Sequence, residues 1–237
     1  YERESVPGGV LAYGIPEYRL PSHILKHEID LICRSGVNII TNTEVGKDIE
    51  FKELRTLYDA IYIATGTQIP QKVNVPGENL RGVLPGINFL KDVKLYNNID
   101  LTGQVVAVIG GGNTAIDSAR TAIRLGAKRV IILYRRTREM MPAYDIEIEE
   151  ALHEGVEIME LVSPVRFISD KRGNVAKIEC VRRELSNFDN KGRRNTRHIE
   201  GSNFYIDVDK VITAVSQYSD LPFVPKEDIG VTPWGTF

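Results

Sequence analysis

Short, wholly apolar runs alternate with amphipathic stretches through the middle of this chain. Val105-Val-Ala-Val-Ile109 has no polar interruption and is mostly β-branched, the pattern of a strand buried on both faces of a parallel sheet. Beyond the glycines that follow it, apolar residues recur at Ala115, Ile116, Ala119, Ile123 and Leu125, the period of a helix. Val130-Ile-Ile-Leu-Tyr134 repeats the strand pattern, a helix is predicted over about 144–153, and residues 156–161 supply a third parallel strand. The period then falls to two over 164–184, and the turn at Asp170-Lys-Arg-Gly173 predicts a β-hairpin. A polar, basic loop over 187–198 leads to Phe204-Tyr-Ile-Asp207, and Val211-Ile-Thr-Ala-Val215 returns as a last apolar strand to the parallel sheet. This order of βαβαβ, a β-meander and a closing strand predicts an α/β, Rossmann-like domain.

The first hundred residues are less regular. Residues 22–34 predict a helix with Leu25, Ile29 and Ile32 on one face, capped by Ser22 and ended by Gly36. Short strands are expected at 37–40 and 59–64, with a short helix near 51–55 between them. Residues 68–86 are rich in Pro and Gly and read as a connection between domains, and a helix over about 88–96 precedes the βαβ unit.

The turn between the first apolar run and its helix carries the chemistry. Gly110, Gly112 and Ala115 hold the small-residue positions of a G-x-G-x-x-G/A loop. Gly110 permits the tight turn, Gly112 lets backbone approach a pyrophosphate, and Ala115 lets the helix pack close to the sheet. The helix start then offers unpaired N–H groups and a positive dipole end to phosphate. A dinucleotide is the expected ligand. About 20 residues further on, where NAD binders carry an acid for the ribose 2′-hydroxyl, the chain has Tyr134, Arg135 and Arg136, with Arg138 close by. Two guanidiniums hold a 2′-phosphate by charge-assisted, bidentate hydrogen bonds, so NADP is favoured over NAD, with dual use left open. The plainer alternative is a solvated basic loop.

Composition removes several other classes. A chain of 237 residues makes one large domain or two small ones, and a net charge of −2 gives no electrostatic case for nucleic acid or a membrane surface. No apolar run approaches the length needed to span a bilayer. The opening Tyr-Glu-Arg-Glu is not a signal peptide, and Met140, Met141 and Met159 all lie past the midpoint, so a piece of a longer, cytoplasmic protein is expected. Cys33 and Cys180 form no Cys-x-x-Cys, which leaves a dithiol centre or iron–sulfur site unsupported; both are expected to be small core residues. His23 and His27 stand four apart without a third ligand and read as a solvated helix face, so no metal is expected. Arg182, Arg183, Lys191, Arg193, Arg194 and Arg197 make a basic hairpin with no interleaved stacking aromatics, and nucleic-acid binding is not expected. Asp117 and Arg120, one helical turn apart, read as a surface pair. Ser216 has no His–Asp constellation pointing to it, so a hydrolase reading fails.

Several segments, in order, carry a more specific likeness. They are Pro7-Gly-Gly-Val-Leu-Ala-Tyr-Gly-Ile-Pro16, Ile63-Ala-Thr-Gly66, Pro76-Gly-Glu-Asn-Leu80, Gly110-Gly-Gly-Asn-Thr-Ala-Ile-Asp117, Tyr134-Arg-Arg136 followed by Met141-Pro-Ala143, and Thr213-Ala-Val-Ser-Gln217. Together they resemble the NADPH-dependent flavoprotein small (beta) subunit family of glutamate synthase, over essentially the whole chain. Ser216 departs from the family's Ala-x-Gly-Gln, where glycine is usual.

The resemblance implies a flavoprotein of two dinucleotide-binding domains, with an NADP domain at 101–216 inserted into an FAD domain. Residues 1–66 would be part of that FAD domain, 67–100 the connection and 217–237 the return toward it. It further implies that Gly110, Gly111, Gly112, Asn113, Thr114, Ala115, Arg135 and Arg136 hold NADPH. Thr65 and Gly66 would approach FAD, Gly8, Gly9 and Gly14 would shape the flavin side, and Asp117 and Arg120 would order the cofactor loop as an alternative to a surface pair. The full-length protein would pass hydride between NADPH and FAD and send electrons to a partner subunit or domain. That step requires oriented rings rather than a catalytic acid or base, so no catalytic residue is nominated. The FAD fingerprint is not among these residues, so the chain alone is expected to hold flavin poorly and to be inactive. The alternative is a non-catalytic dinucleotide-binding or regulatory module. A methyltransferase with a similar glycine loop is disfavoured by Arg135 and Arg136, where an acid would be expected.

Overall fold

The computed structural model describes residues 1–96, 98–188, 194–224, 230 and 232, and its chain divides into two units. Unit 1 comprises Tyr1–Ile69 and Gln217–Phe237, and unit 2 comprises Pro70–Ser216. Unit 1 holds the helices α1 (Val10–Tyr13), α2 (Ser22–Arg34) and α3 (Phe51–Leu57). The chain leaves it through the two-residue strand β1 (Ile69–Pro70).

Unit 2 then runs β2 (Val83–Pro85), α4 (Gly86–Tyr96), β3 (Val105–Ile109), α5 (Asn113–Arg124), β4 (Arg129–Tyr134), α6 (Asp145–His153) and β5 (Glu157–Glu160). It continues through β6 (Val162–Ser169), β7 (Val175–Phe188), β8 (Arg194–His198), β9 (Phe204–Asp207) and β10 (Lys210–Thr213), and the chain returns through β11 (Gln217–Tyr218). Five of these strands make a sheet in the order β2-β10-β3-β4-β5, with every pairing parallel. The expected α/β, Rossmann-like fold with a meander is what forms.

Why the central runs are uninterrupted is plain from their two faces. Val106, Val108, Val130, Ile132, Tyr134 and Ile212 point to one side, where Ile116, Ala119 and Ala122 of α5 and Ile148 and Ala151 of α6 cover them. Ala107, Ile109, Ile131, Leu133 and Val211 point to the other, against Val162, Phe167, Ile178, Cys180 and Ile206 of the antiparallel strands. Both faces are thus apolar and dry, and no polar position is tolerated. The antiparallel layer is built around β7, which pairs with β6, β8 and β9. Part of the segment expected as a basic loop is therefore strand β8, while Lys191 and Arg193 of the expected hairpin lie outside the described residues. The two ends of unit 2 meet, since the Gln71 N–H donates to the Ser216 carbonyl at 2.9 Å.

Unit 1 departs further from expectation. Its core is small: Phe51, Leu54 and Val224 are buried, with Val45, Ile49, Ile63, Leu221 and Phe223 packed around them. Neither 37–40 nor 59–64 forms a strand. A β-branched run becomes a strand only where a neighbour takes up its N–H and C=O groups. Among the described residues no such ladder runs along 59–64, and Tyr62 is 92% exposed. Cys180 is in the core as expected, but Cys33 is exposed near the end of α2, a helix with no buried residue. His23 and His27 are exposed on the same helix. Among the described residues, no helix is long and apolar enough to cross a membrane.

Candidate functional site

The strand–turn–helix unit β3-loop-α5 stands at the carboxyl edge of the parallel sheet, and its three glycines meet three different surroundings. Gly110 has φ +145°, and a Cβ there would lie 2.2 Å from the carbonyl oxygen of Ala214 at the end of β10. Gly111 faces the ring of Tyr134, which a Cβ would approach to 2.5 Å. Gly112 is crowded by nothing: the nearest atom to a Cβ there is Pro142 Cγ at 3.9 Å. The first two glycines thus answer to the protein's own packing, and only the third keeps space that the chain does not fill. Ala115 is fully buried behind the turn, while Gly112, Asn113 and Thr114 remain partly open to solvent.

α5 starts at Gly112 without a side-chain cap and without an acidic residue in its first turn. The Gly112 carbonyl accepts from Ala115 and Ile116, leaving the N–H groups of Asn113 and Thr114 with no intrahelical acceptor. An anion at this point meets N–H donors and the positive end of the helix dipole with no competing carboxylate.

A second segment braces the loop. The Tyr134 hydroxyl donates to the Met140 carbonyl at 2.7 Å, Ala143 N–H donates to Gly111 O at 3.3 Å, and Asn113 Oδ1 accepts from Tyr144 N–H at 3.1 Å. The conjunction of Tyr134 with Met141-Pro-Ala143 therefore has a mechanical meaning: ring, hydroxyl and backbone pin the 140–144 segment across the glycines. Tyr134→Phe keeps the ring against Gly111 and loses one buried hydrogen bond. It is expected to cost about 1 kcal/mol, a fall of roughly 2–4 °C in the thermal midpoint. A melt monitored by circular dichroism checks this.

At the end of β4 the arginines separate by partner. Arg135 is exposed, and Arg136 is half-buried with its Nε donating to the Arg194 carbonyl at 2.8 Å. Arg138, by contrast, is ion-paired with Glu149 of α6, and its N–H donates to Glu160. Two features went unread in the sequence. Asp117 and Arg120 are buried rather than a surface pair, and Arg120 reaches across to Glu147 of α6 and to Glu154 just past its end, at 2.5 and 2.7 Å. Arg183 of β7 joins the arginine cluster from the opposite sheet. Ser216 has φ +156°, a conformation that suits the glycine usual at its position. In unit 1, Thr65 and Gly66 are both exposed, with Gly66 at φ +68°.

Residues 5–233 match the model of the family described as pyridine nucleotide-disulphide oxidoreductase. The chain is 43% identical over 226 residues to the NADP(+)-dependent formate dehydrogenase subunit beta of Moorella thermoacetica, covering 94% of this chain and 32% of that protein. It is 36% identical over 248 residues to the glutamate synthase [NADPH] small chain that has been assigned in Cereibacter sphaeroides as putative, covering 100% of this chain and 59% of that protein. The chain thus spans 32% and 59% of these two relatives' lengths. Mycobacterium tuberculosis FprA in complex with NADPH has the same fold, with a TM-score of 0.82 at 20% identity, covering 98% of this chain and 66% of that one.

Proposed function

Because the chain belongs to the pyridine nucleotide-disulphide oxidoreductase family, we propose that unit 2 is the NADPH-binding module of an oxidoreductase subunit related to the glutamate synthase small chain. The observation that carries this reading is the open position at Gly112, where the chain leaves room beside the N–H groups that begin α5. A pyrophosphate fits that room, with Gly110 and Gly111 shaping the turn and Asn113, Thr114 and Ala115 forming the helix start. Arg135 and Arg136, at the end of the next strand, take the 2′-phosphate. NADPH, when bound, supplies a hydride; the residues of this chain bind and orient it and need not move a proton.

The resemblance also implies FAD in the complete protein. Thr65 and Gly66 are exposed, with Gly66 at φ +68°, and would be the residues of unit 1 to approach it; no step is assigned to flavin. The reading of residues 1–66 and 217–237 as part of an FAD domain remains a proposal about the longer protein, as does the partner subunit or domain that would receive its electrons.

Titration calorimetry with NADPH and NADH tests the reading. NADPH is expected to bind at least about tenfold tighter, since a charge-assisted contact to the extra phosphate contributes roughly 1.5–3 kcal/mol. Arg135→Ala should remove most of that preference and leave NADH affinity nearly unchanged. Arg135 is the better probe, because Arg136 also anchors β8 through the Arg194 carbonyl. Equal affinities for the two nucleotides, or binding of neither, would overturn the proposal.

A further inference from the structure

β4 and β7 belong to different sheets, yet a single residue ties their arginines together. The Leu161 N–H donates to the Arg136 carbonyl at 3.1 Å, and the Leu161 carbonyl accepts from the Arg183 N–H at 2.7 Å. Leu161 does this at φ +54°, in the left-handed region that a leucine adopts only at a cost. Arg136 closes a second link through its side-chain bond to the Arg194 carbonyl on β8, the strand that pairs with β7 beside Arg183.

The side chain of Arg183 is fixed by neutral oxygens. Its Nε donates to Thr196 Oγ1 at 2.7 Å, one terminal nitrogen to Ser163 Oγ at 3.2 Å and the other to the Thr196 carbonyl at 2.7 Å. A guanidinium has five N–H groups, so two remain to donate. Among the described residues, neither Arg136 nor Arg183 is paired with a carboxylate, whereas Arg129, Arg138 and Arg197 are paired with Glu157, Glu149 and Glu184. Burial and the nearby charges of Arg135 and Arg136 pull the Arg183 pKa below the ordinary arginine value. Burial first, and then the Arg183 charge, likewise lower the pKa of His198, its cross-strand neighbour. Like charges held close by neutral acceptors repel one another until an anion settles among them.

We infer that Arg183 is a third cation of the 2′-phosphate pocket, reaching from the antiparallel layer to the same phosphate as Arg135 and Arg136. The inference rests on the NADPH reading above and adds a specificity-determining residue outside the Rossmann layer. The preference for a phosphorylated ribose then depends on both sheets of unit 2.

The chain titrated with adenosine 2′,5′-bisphosphate and with AMP separates the two claims. The native chain should prefer the bisphosphate. Arg183→Gln should weaken bisphosphate binding about tenfold and leave AMP within about twofold, because the lost contact is to the 2′-phosphate alone. Arg183→Lys keeps the charge but not the fork, and should lose about threefold for the bisphosphate only. If Arg183→Gln does not fold, as judged by circular dichroism, the lysine variant decides. Bisphosphate affinity unchanged in the folded variants, or an equal loss for both probes, would overturn the role of Arg183 while leaving the NADPH reading in place. A native chain that does not distinguish the probes would overturn the NADPH reading itself, and the inference with it.

Discussion

Gly110→Ala should destabilise unit 2 by about 3 kcal/mol or more, lowering its thermal midpoint by roughly 6–12 °C. The added methyl would lie 2.2 Å from the Ala214 carbonyl oxygen, a backbone atom at the end of a central strand, and the residue would be held at φ +145°. Neither partner can turn away as a flexible side chain would. The strand ends must separate, and Ala214 N–H would strain its 2.8 Å bond to Ile109 O. Gly112→Ala is the matched control, because beyond its immediate neighbours in the chain its methyl would come no nearer than 3.9 Å to Pro142 Cγ. It should melt within about a degree or two of the native protein and weaken NADPH binding, since the methyl occupies the space assigned to pyrophosphate. Thermal melts of the two variants, read beside nucleotide titration, check both halves. Similar stability losses in the two variants would undo the division between a packing glycine and a ligand glycine.

Arg120→Ala carries the second large effect. The guanidinium is only 6% exposed and sits between Glu147 and Glu154, themselves 17% and 20% exposed. Removing it takes a buried cationic partner from both carboxylates, and among the described residues Glu154 keeps only the more exposed Arg124, at 2.7 Å. Breaking a largely buried pair in this way costs about 3 kcal/mol. Since α5 carries the glycine loop and α6 follows the segment that braces it, nucleotide affinity should fall as well. Urea denaturation of Arg120→Ala measures the loss, and a triple variant that also carries Glu147→Gln and Glu154→Gln should recover part of it. A loss under about 1 kcal/mol would mean that the cluster behaves as a solvated surface network.

The β3-loop-α5-β4 unit was legible because every level of its sequence agrees. Both strand faces are buried, so the runs are unbroken, and the helix period begins directly after the glycines. The strand β2 was not legible. It is three residues between Gly82 and Gly86, and only pairing with β10, distant in sequence, makes it a strand. Residues 37–40 and 59–64 fail for the opposite reason: their local pattern is right, but a pattern cannot supply a ladder partner. The same distinction governs the site. Gly112 and the arginines after β4 are candidates that spacing alone brings forward. The need for glycine at position 111 arises from the Tyr134 ring, and the burial of Arg120 from glutamates on and just past another helix, so neither is visible without the packing. Arg183 was visible only as one of several basic residues in a hairpin, because its relation to Arg136 runs through the backbone of Leu161.

The hydrogen bond between Gln71 and Ser216 has a practical consequence. It holds the two ends of unit 2 side by side, with Gln71 N 2.9 Å from Ser216 O. A domain with adjoining ends can be transplanted into a surface turn of an unrelated scaffold, or have its ends fused and new ones opened elsewhere. The entropy of closing such a short span is small, and the parallel sheet need not stretch to meet the junction. Unit 2 is in that sense a cassette with adjoining ends.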